Sequence, residues 1–174
     1  EGNPVLPLRY WSQDESRVGL KTITRRILTA LGVKPVGPMQ WIFQSFYLYG
    51  AVEPLTGDSF FLEFSHLDAD CFQIFLNQFS QAHPHSLNVI QLDNGRFHFA
   101  KKLQIPENVV LLFQPPYSPD INPIERVWQF IKDQLRWLNL KNLDELRRKV
   151  DEVIQSITPN QIASLTSFDF ILTA

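Results

Sequence analysis

Residues 87–113 read LNVIQLDNGRFHFAKKLQIPENVVLLF, and this stretch decides the class of fold. It contains two short apolar segments, Leu87–Leu92 and Val109–Phe113, whose length is typical of buried strands. Between them, Phe97–Leu103 is predicted to form a short helix. Two strands joined through a helix are expected to be parallel neighbours connected by a right-handed crossover. The stretch therefore predicts an α/β domain.

The sequence on either side of this stretch extends the pattern. Upstream, apolar and aromatic segments predict strands over Leu8–Asp14, Val18–Ile27, Trp41–Val52 and Ser59–Phe64. The helical spacing of apolar residues predicts helices over Asp68–Gln81, Ile124–Leu138 and Leu143–Ile157, with a last helical turn after Pro159. Antiparallel strands followed by alternating helices and strands are the layout of a ribonuclease-H-like fold, in which helices flank a mixed central sheet.

Composition is that of an ordinary single-domain globular protein. The 174 residues suffice for one sizeable core, and Cys71 is the only cysteine, which excludes an internal disulfide. No apolar run approaches the ~20 residues that a membrane-spanning helix needs. The net charge of −2 is unevenly spread, since residues 1–40 carry six Lys or Arg and three acids, whereas residues 41–80 carry five acids and no Lys or Arg. A cationic face for a phosphate backbone is therefore possible, although solvated surface charge is the simpler interpretation.

Three acidic residues are candidates for one site. Asp14 is expected at the end of the first strand, Asp93 directly follows the strand Leu87–Leu92, and Glu125 lies in the first turn of a helix. Ligand sites in open sheets form beyond the strand ends. Three carboxylates brought together repel one another, and a divalent cation removes that conflict. Because all the ligands are oxygens, Mg²⁺ or Mn²⁺ is expected rather than zinc.

Each candidate also has a purely structural interpretation. Asp93-Asn94-Gly95 and Asp14-Glu15-Ser16 are both compatible with simple turns. Glu125 is compatible with a helix-capping role, with Asn122 as the N-cap residue and Pro123 at the first helical position. His98 is expected to be a surface or packing histidine unless the fold places it near the acids. The three acids thus gain their meaning from the combination.

That combination resembles a known family. The strings YWSQDESRVGL, LYGAVEPLTGD, VIQLDNGRFH and LLFQPPYSPDINPIERVWQFIK are similar to DDE transposases of the Tc/mariner superfamily, in particular its bacterial insertion-sequence branch. The resemblance extends from about Tyr10 to Ile154. It implies that Asp14, Asp93 and Glu125 are the catalytic and metal-binding acids, with 31 residues between the last two. Gly95 departs from the alanine more familiar in the family, but the loop can still turn.

The resemblance implies a chemistry and a set of partners. Two Mg²⁺ or Mn²⁺ ions would support hydrolysis of DNA at the ends of a mobile element and transfer of the cut strand to target DNA. Terminal inverted repeats, target DNA and a second copy of the chain are the expected partners, in the bacterial cytoplasm beside the nucleoid. Residues 1–8 are expected to lead in from an upstream region, and residues 9–174 to form the catalytic domain.

The phosphate-contacting candidates, chosen by charge alone, are Arg17, Arg25, Arg26, Lys101 and Lys102.

Two alternatives to an active transposase stay open. One is another ribonuclease-H-like nuclease, which would differ in its preference for RNA–DNA hybrids. The other is an inactive, domesticated transposase that serves as a DNA-binding or assembly module.

Overall fold

A computed structural model of the chain describes residues 6–20, 44–95, 98, 102–115, 121–136 and 138–168. The described residues contain five strands, which are β1 (Leu8–Gly19), β2 (Ser45–Val52), β3 (Ser59–Phe64), β4 (Leu87–Leu92) and β5 (Val109–Phe113). The same residues contain four α-helices, which are α1 (Ala69–Ala82), α2 (Ile124–Gln134), α3 (Leu143–Ser156) and α4 (Pro159–Thr166).

The strands form one mixed sheet in the order β3-β2-β1-β4-β5. Strands β1, β2 and β3 are antiparallel neighbours, whereas β4 lies parallel to both β1 and β5. The central strand β1 is therefore the place where the antiparallel half meets the parallel half. The predicted parallel pairing of Leu87–Leu92 with Val109–Phe113 is confirmed.

Helices cover both faces of the sheet. On one face, α1 packs through buried phenylalanines against Trp11, Tyr49 and Ile90. On the other face, α2, α3 and α4 enclose a second apolar cluster with Val18, Phe46 and other sheet residues. Because successive side chains of a strand point to opposite faces, β1 presents its odd-numbered residues to α1 and its even-numbered residues to α2.

The helices begin where the sequence supplies capping side chains. Asp68 caps α1 by accepting from the backbone N–H of Cys71, and Asn142 caps α3 by accepting from that of Glu145. At α4, Thr158 and Gln161 form a reciprocal capping box. Such caps satisfy the first N–H groups of a helix, which have no partner within it.

Several predicted boundaries need correction. The first strand does not end at Asp14, because β1 continues without interruption to Gly19. Val18 and Gly19 of the segment Val18–Ile27 accordingly belong to β1, and the rest of that segment beyond Leu20 lies outside the described residues. The helix expected over Phe97–Leu103 also falls largely outside them, although Leu103 itself is not helical.

Candidate active site

Asp14 lies in the middle of β1 on the face covered by α2. Its Oδ2 accepts a hydrogen bond from the indole Nε1 of Trp128, at 3.0 Å. Burial raises the pKa of the Asp14 carboxyl well above its usual range, and the nearby charges of Glu15 and Glu125 raise that pKa further. A carboxylate held in these surroundings gains from a neighbouring cation.

A glycine makes room for the indole that contacts Asp14. Gly50 of β2 is the register partner of Asp14. A Cβ atom at Gly50 would lie 2.6 Å from a ring carbon of Trp128 and 2.7 Å from one of Phe61. The Trp128 ring can therefore pack directly on the backbone of β2, with its N–H directed to Asp14.

Asn122 joins the start of α2 to β1. This role differs from the predicted one. It was expected to cap the helix, but Pro123 is the N-cap residue and makes no side-chain capping bond. The buried Asn122 side chain instead accepts from Ser12 Oγ at 2.5 Å and donates to the backbone carbonyl of Gln13 at 3.0 Å. This contact fixes the first turn of α2 against the strand that carries Asp14.

Glu125 lies in that first turn, as predicted, and its side chain is exposed. Its carboxylate lies close enough to Asp14 for its charge to raise the Asp14 pKa. The packing of α2 on β1 therefore brings the two acids together. The contact that anchors this helix joins Ser12 to Asn122, which are 110 positions apart in the sequence.

Asp93 directly follows β4, as predicted, and 56% of its side chain is exposed. The last register pair between β1 and β4 is Ser12 with Gln91, so Asp14 and Asp93 each lie two residues beyond it along neighbouring parallel strands. Asp93 Oδ1 accepts from the backbone N–H of Gly95 at 2.7 Å, which is the turn expected from the sequence.

His98 and Glu15 lie beside these acids, and sequence reasoning assigned a site role to neither. His98 Nδ1 is 3.1 Å from Asp93 Oδ1, and His98 Nε2 is 3.2 Å from Glu15 Oε1. The two side chains are 1% and 7% exposed respectively. The spacing of His98 five residues after Asp93 was the available signal, since it allows a return contact across a short loop.

Of the three predicted acids, two lie near each other and the third has a different partner. Asp14 and Glu125 interact through their charges, while Asp93 is held separately through His98. Within the described part of the chain, no three His, Cys, Asp or Glu side chains are grouped as they would be around a metal ion. The donors, on β1, after β4 and in the first turn of α2, are nevertheless all carboxylate oxygens, and such donors fit Mg²⁺ or Mn²⁺.

The predicted phosphate-contacting residues are only partly described. Arg17 is exposed on β1 and donates from Nε to Ser45 Oγ at 2.9 Å. Lys102 pairs with Asp70 at 2.5 Å, and both side chains are mostly exposed. Arg25, Arg26 and Lys101 lie outside the described residues. Among the helices that are described, none is long and apolar enough to cross a membrane.

Comparison with protein families gives one match over most of the chain. The family described as DDE superfamily endonuclease matches residues 9–147. The uncharacterized protein y4pE/y4sA of Sinorhizobium fredii is 35% identical over 104 residues, which cover 58% of this chain and 76% of that protein. The Tcb2 transposase of Caenorhabditis briggsae is 30% identical over 80 residues, which cover 44% of this chain and 29% of the transposase.

Solved structures with a similar fold include the Mos1 mariner transposase. Its paired-end complex with Mn superimposes with a TM-score of 0.72 at 15% identity, over 91% of this chain and 51% of the Mos1 chain. Its strand transfer complex gives a TM-score of 0.71 at 14% identity, over 91% and 50%. The predicted ribonuclease-H-like fold is thereby confirmed. The chain spans about half the length of the Mos1 chains that it resembles.

Proposed function

The chain belongs to the DDE superfamily endonucleases, and from this premise we propose that it is the catalytic domain of a metal-dependent DNA transposase. In this proposal Asp14, Asp93 and Glu125 bind two Mg²⁺ or Mn²⁺ ions. The domain then cuts DNA strands at the ends of a mobile element and transfers them to target DNA. The observation that carries the proposal is the anchoring of the first turn of α2, which carries Glu125, against β1 next to Asp14, beside the strand that leads to Asp93.

Electrostatics favours a cation at this position. The Glu125 charge opposes ionisation of Asp14, so keeping both carboxylates ionised without a cation lowers the stability of the folded protein. When bound, two divalent ions would activate the attacking oxygen and stabilise the leaving oxygen at a phosphodiester. Asp93 follows β4 on a loop and is mostly exposed, so its carboxylate is accessible to an ion.

The surrounding residues supply positioning. Trp128 directs one oxygen of Asp14, and Asn122 holds the first turn of α2 against β1. Ligands on strands and helices that are fixed in this way are held more accurately than ligands on loops. The chain therefore contributes two acids on regular elements, Asp14 on β1 and Glu125 on α2, and one acid on a loop, Asp93.

The proposed partners rest on the relatives. The Mos1 structures include a paired-end complex with a transposon end, which supports DNA ends as the substrate of this chain too. Target DNA, a homodimer in the active complex, an insertion-sequence origin and a bacterial cytoplasmic location beside the nucleoid belong to the same proposal. So does the assignment of residues 9–174 as the catalytic domain with a lead-in over residues 1–8.

Nicking of supercoiled plasmid DNA in Mn²⁺ tests the activity and the assignment of the last acid. Wild type should convert plasmid to open circles in a reaction that EDTA stops. Glu125→Gln should abolish nicking because it removes a metal ligand. Asp120 is the other acid close to the expected spacing after Asp93, and Asp120→Asn should keep most of the nicking activity. Asp120 lies outside the described residues, and the flanking Pro119 predicts a supporting turn there.

The controls separate the competing assignments. Asp151→Asn, an exposed acid on α3, should nick as wild type does. An active Glu125→Gln protein beside an inactive Asp120→Asn protein would overturn the assignment. Preference for an RNA–DNA hybrid over duplex DNA would indicate another ribonuclease-H-like nuclease. A folded wild-type chain with no metal-dependent nicking would contradict catalysis by this chain.

A further inference from the structure

We propose that His98 is a positioning residue, which holds Asp93 in the orientation that metal binding requires by anchoring it to the buried Glu15. This inference rests on the proposed function, because it takes Asp93 to be a metal ligand. It adds two residues, His98 and Glu15, to the machinery of the site and gives each one a role that is distinct from metal ligation.

The geometry links three separate parts of the chain. One ring nitrogen of His98 lies 3.1 Å from Asp93 Oδ1 and 3.2 Å from the Asp93 backbone oxygen. The other ring nitrogen lies 3.2 Å from Glu15 Oε1 on β1. The ring itself packs against Phe72 of α1, with 4.5 Å between centroids. The imidazole is thus fixed in position by contacts on several sides.

Glu15 is an anchor and not an additional ligand beside Asp14. Neighbouring residues of a strand point to opposite faces, so Glu15 lies on the α1 face whereas Asp14 lies on the α2 face. The 7% exposed Glu15 carboxylate accepts from Gln13 Nε2 at 2.7 Å and contacts His98 on the same face. A buried carboxylate with these partners has a fixed place from which to hold the imidazole ring.

Asp93 is the acid that most needs such support. It follows β4 on a loop and is 56% exposed, unlike Asp14, which is fixed by a strand and by Trp128. An exposed carboxylate samples several rotamers, and ordering it on metal binding costs free energy. A contact from a buried ring reduces that cost. Outer contacts of this kind typically change metal affinity or activity by about 10- to 100-fold.

Two substitutions at one position separate positioning from simple packing. Glutamine places its amide nitrogen near the position of Nε2, so His98→Gln keeps the contact with Glu15 and loses that with Asp93. Asparagine places its amide nitrogen near Nδ1, so His98→Asn keeps the contact with Asp93 and loses that with Glu15. Free Mn²⁺ is measured by electron paramagnetic resonance, and stability by thermal melting in EDTA.

The two variants should differ in opposite directions in their Mn²⁺ affinity and their thermal stability. His98→Gln should raise the Kd for Mn²⁺ by about tenfold or more with a melting temperature near that of wild type. His98→Asn should lower the melting temperature more than His98→Gln does, and it should raise the Kd for Mn²⁺ less. If His98→Gln binds Mn²⁺ within about twofold of wild type, or if affinity simply follows stability across the pair, His98 is a packing residue and the proposal is wrong.

Further measurements keep the result decisive. His83→Gln changes another partly buried histidine that packs among aromatic rings, and it should leave the Kd for Mn²⁺ unchanged. If His98→Gln does not fold, Glu15→Gln tests the same link from its other end. That variant should weaken Mn²⁺ binding severalfold, and an unchanged Kd overturns the proposal. Failure of wild type to bind Mn²⁺ at all would instead contradict the proposed function.

Discussion

At the scale of single residues, Asp14 makes the stability of the metal-free protein dependent on pH. Its folded-state pKa is raised above the unfolded value of about 3.9. The folded protein therefore holds this proton more tightly, and the associated stability is present at low pH and lost as pH rises through the folded pKa. Asp14→Asn removes the titration but keeps an oxygen that can accept from Trp128.

In EDTA, Asp14→Asn should become progressively more stable than wild type as pH rises from about 4 towards 8. The difference should grow by at most about 1.4 kcal/mol per pH unit, the limit for one proton, and level off above the raised pKa. Urea unfolding across this range measures it. Asp151→Asn provides the control at an exposed acid, and a difference that does not change with pH would contradict the raised pKa.

Sequence motifs singled out three candidate acids but could not show how each is held. Asn122 before Pro123 has the local pattern of an N-cap, and only the long-range contact with β1 shows that its amide is used elsewhere. Glu15 beside Asp14 has the local pattern of a polar turn. Its partner His98 is 83 positions away in the sequence, so nothing local indicates the contact. Roles that depend on partners so distant in the chain have no local signal.

At the scale of elements, the sequence predicted the sheet well and the length of β1 poorly. The apolar segments Leu87–Leu92 and Val109–Phe113 were found with correct bounds, because a continuous apolar run of five or six residues has the length of a strand. The second segment is nevertheless an edge strand, and Val110 and Leu112 on one of its faces are exposed. The polar run at Asp14–Ser16 suggested an end to β1. The strand continues because these polar side chains have partners on both faces, including Trp128 and His98.

The packing of α2 on β2 can be tested at Gly50. A methyl group there would lie 2.6 Å from Trp128 and 2.7 Å from Phe61, so both rings would have to move. Gly50→Ala should lower the free energy of unfolding by about 1–3 kcal/mol, as overpacking of a filled core does. Urea unfolding measures the loss, and near-ultraviolet circular dichroism reports the displaced indole.

The matched control uses the next residue of the same strand. Ala51 is also fully buried but faces α1, so Ala51→Gly should cost stability without changing the Trp128 signal. Combining Gly50→Ala with Trp128→Phe should recover part of the loss, because the smaller ring relieves one of the two close contacts. A Gly50→Ala protein as stable as wild type would show that Trp128 does not depend on the glycine.

At the scale of the whole molecule, charge limits how the chain can bind DNA. The net charge is −2, and residues 41–80 contribute five acids without any Lys or Arg. Attraction to phosphates must therefore come from a restricted cationic region and not from the protein as a whole. Among the described candidates, Arg17 is exposed on the central strand that also carries Asp14, whereas Lys102 is paired with Asp70.

These charges predict weak, salt-dependent DNA binding with little sequence preference. The Kd for a duplex oligonucleotide should be micromolar or weaker at physiological salt, about 10⁻⁶–10⁻⁴ M, as for phosphate-dominated contacts. Arg17→Ala should reduce the slope of log K against log salt by about one. Lys102→Ala should reduce it less, because Asp70 already offsets its charge. Fluorescence anisotropy over a salt series measures both slopes. Nanomolar binding that distinguishes one duplex sequence from another would contradict this prediction, since it requires base contacts that phosphate attraction cannot supply.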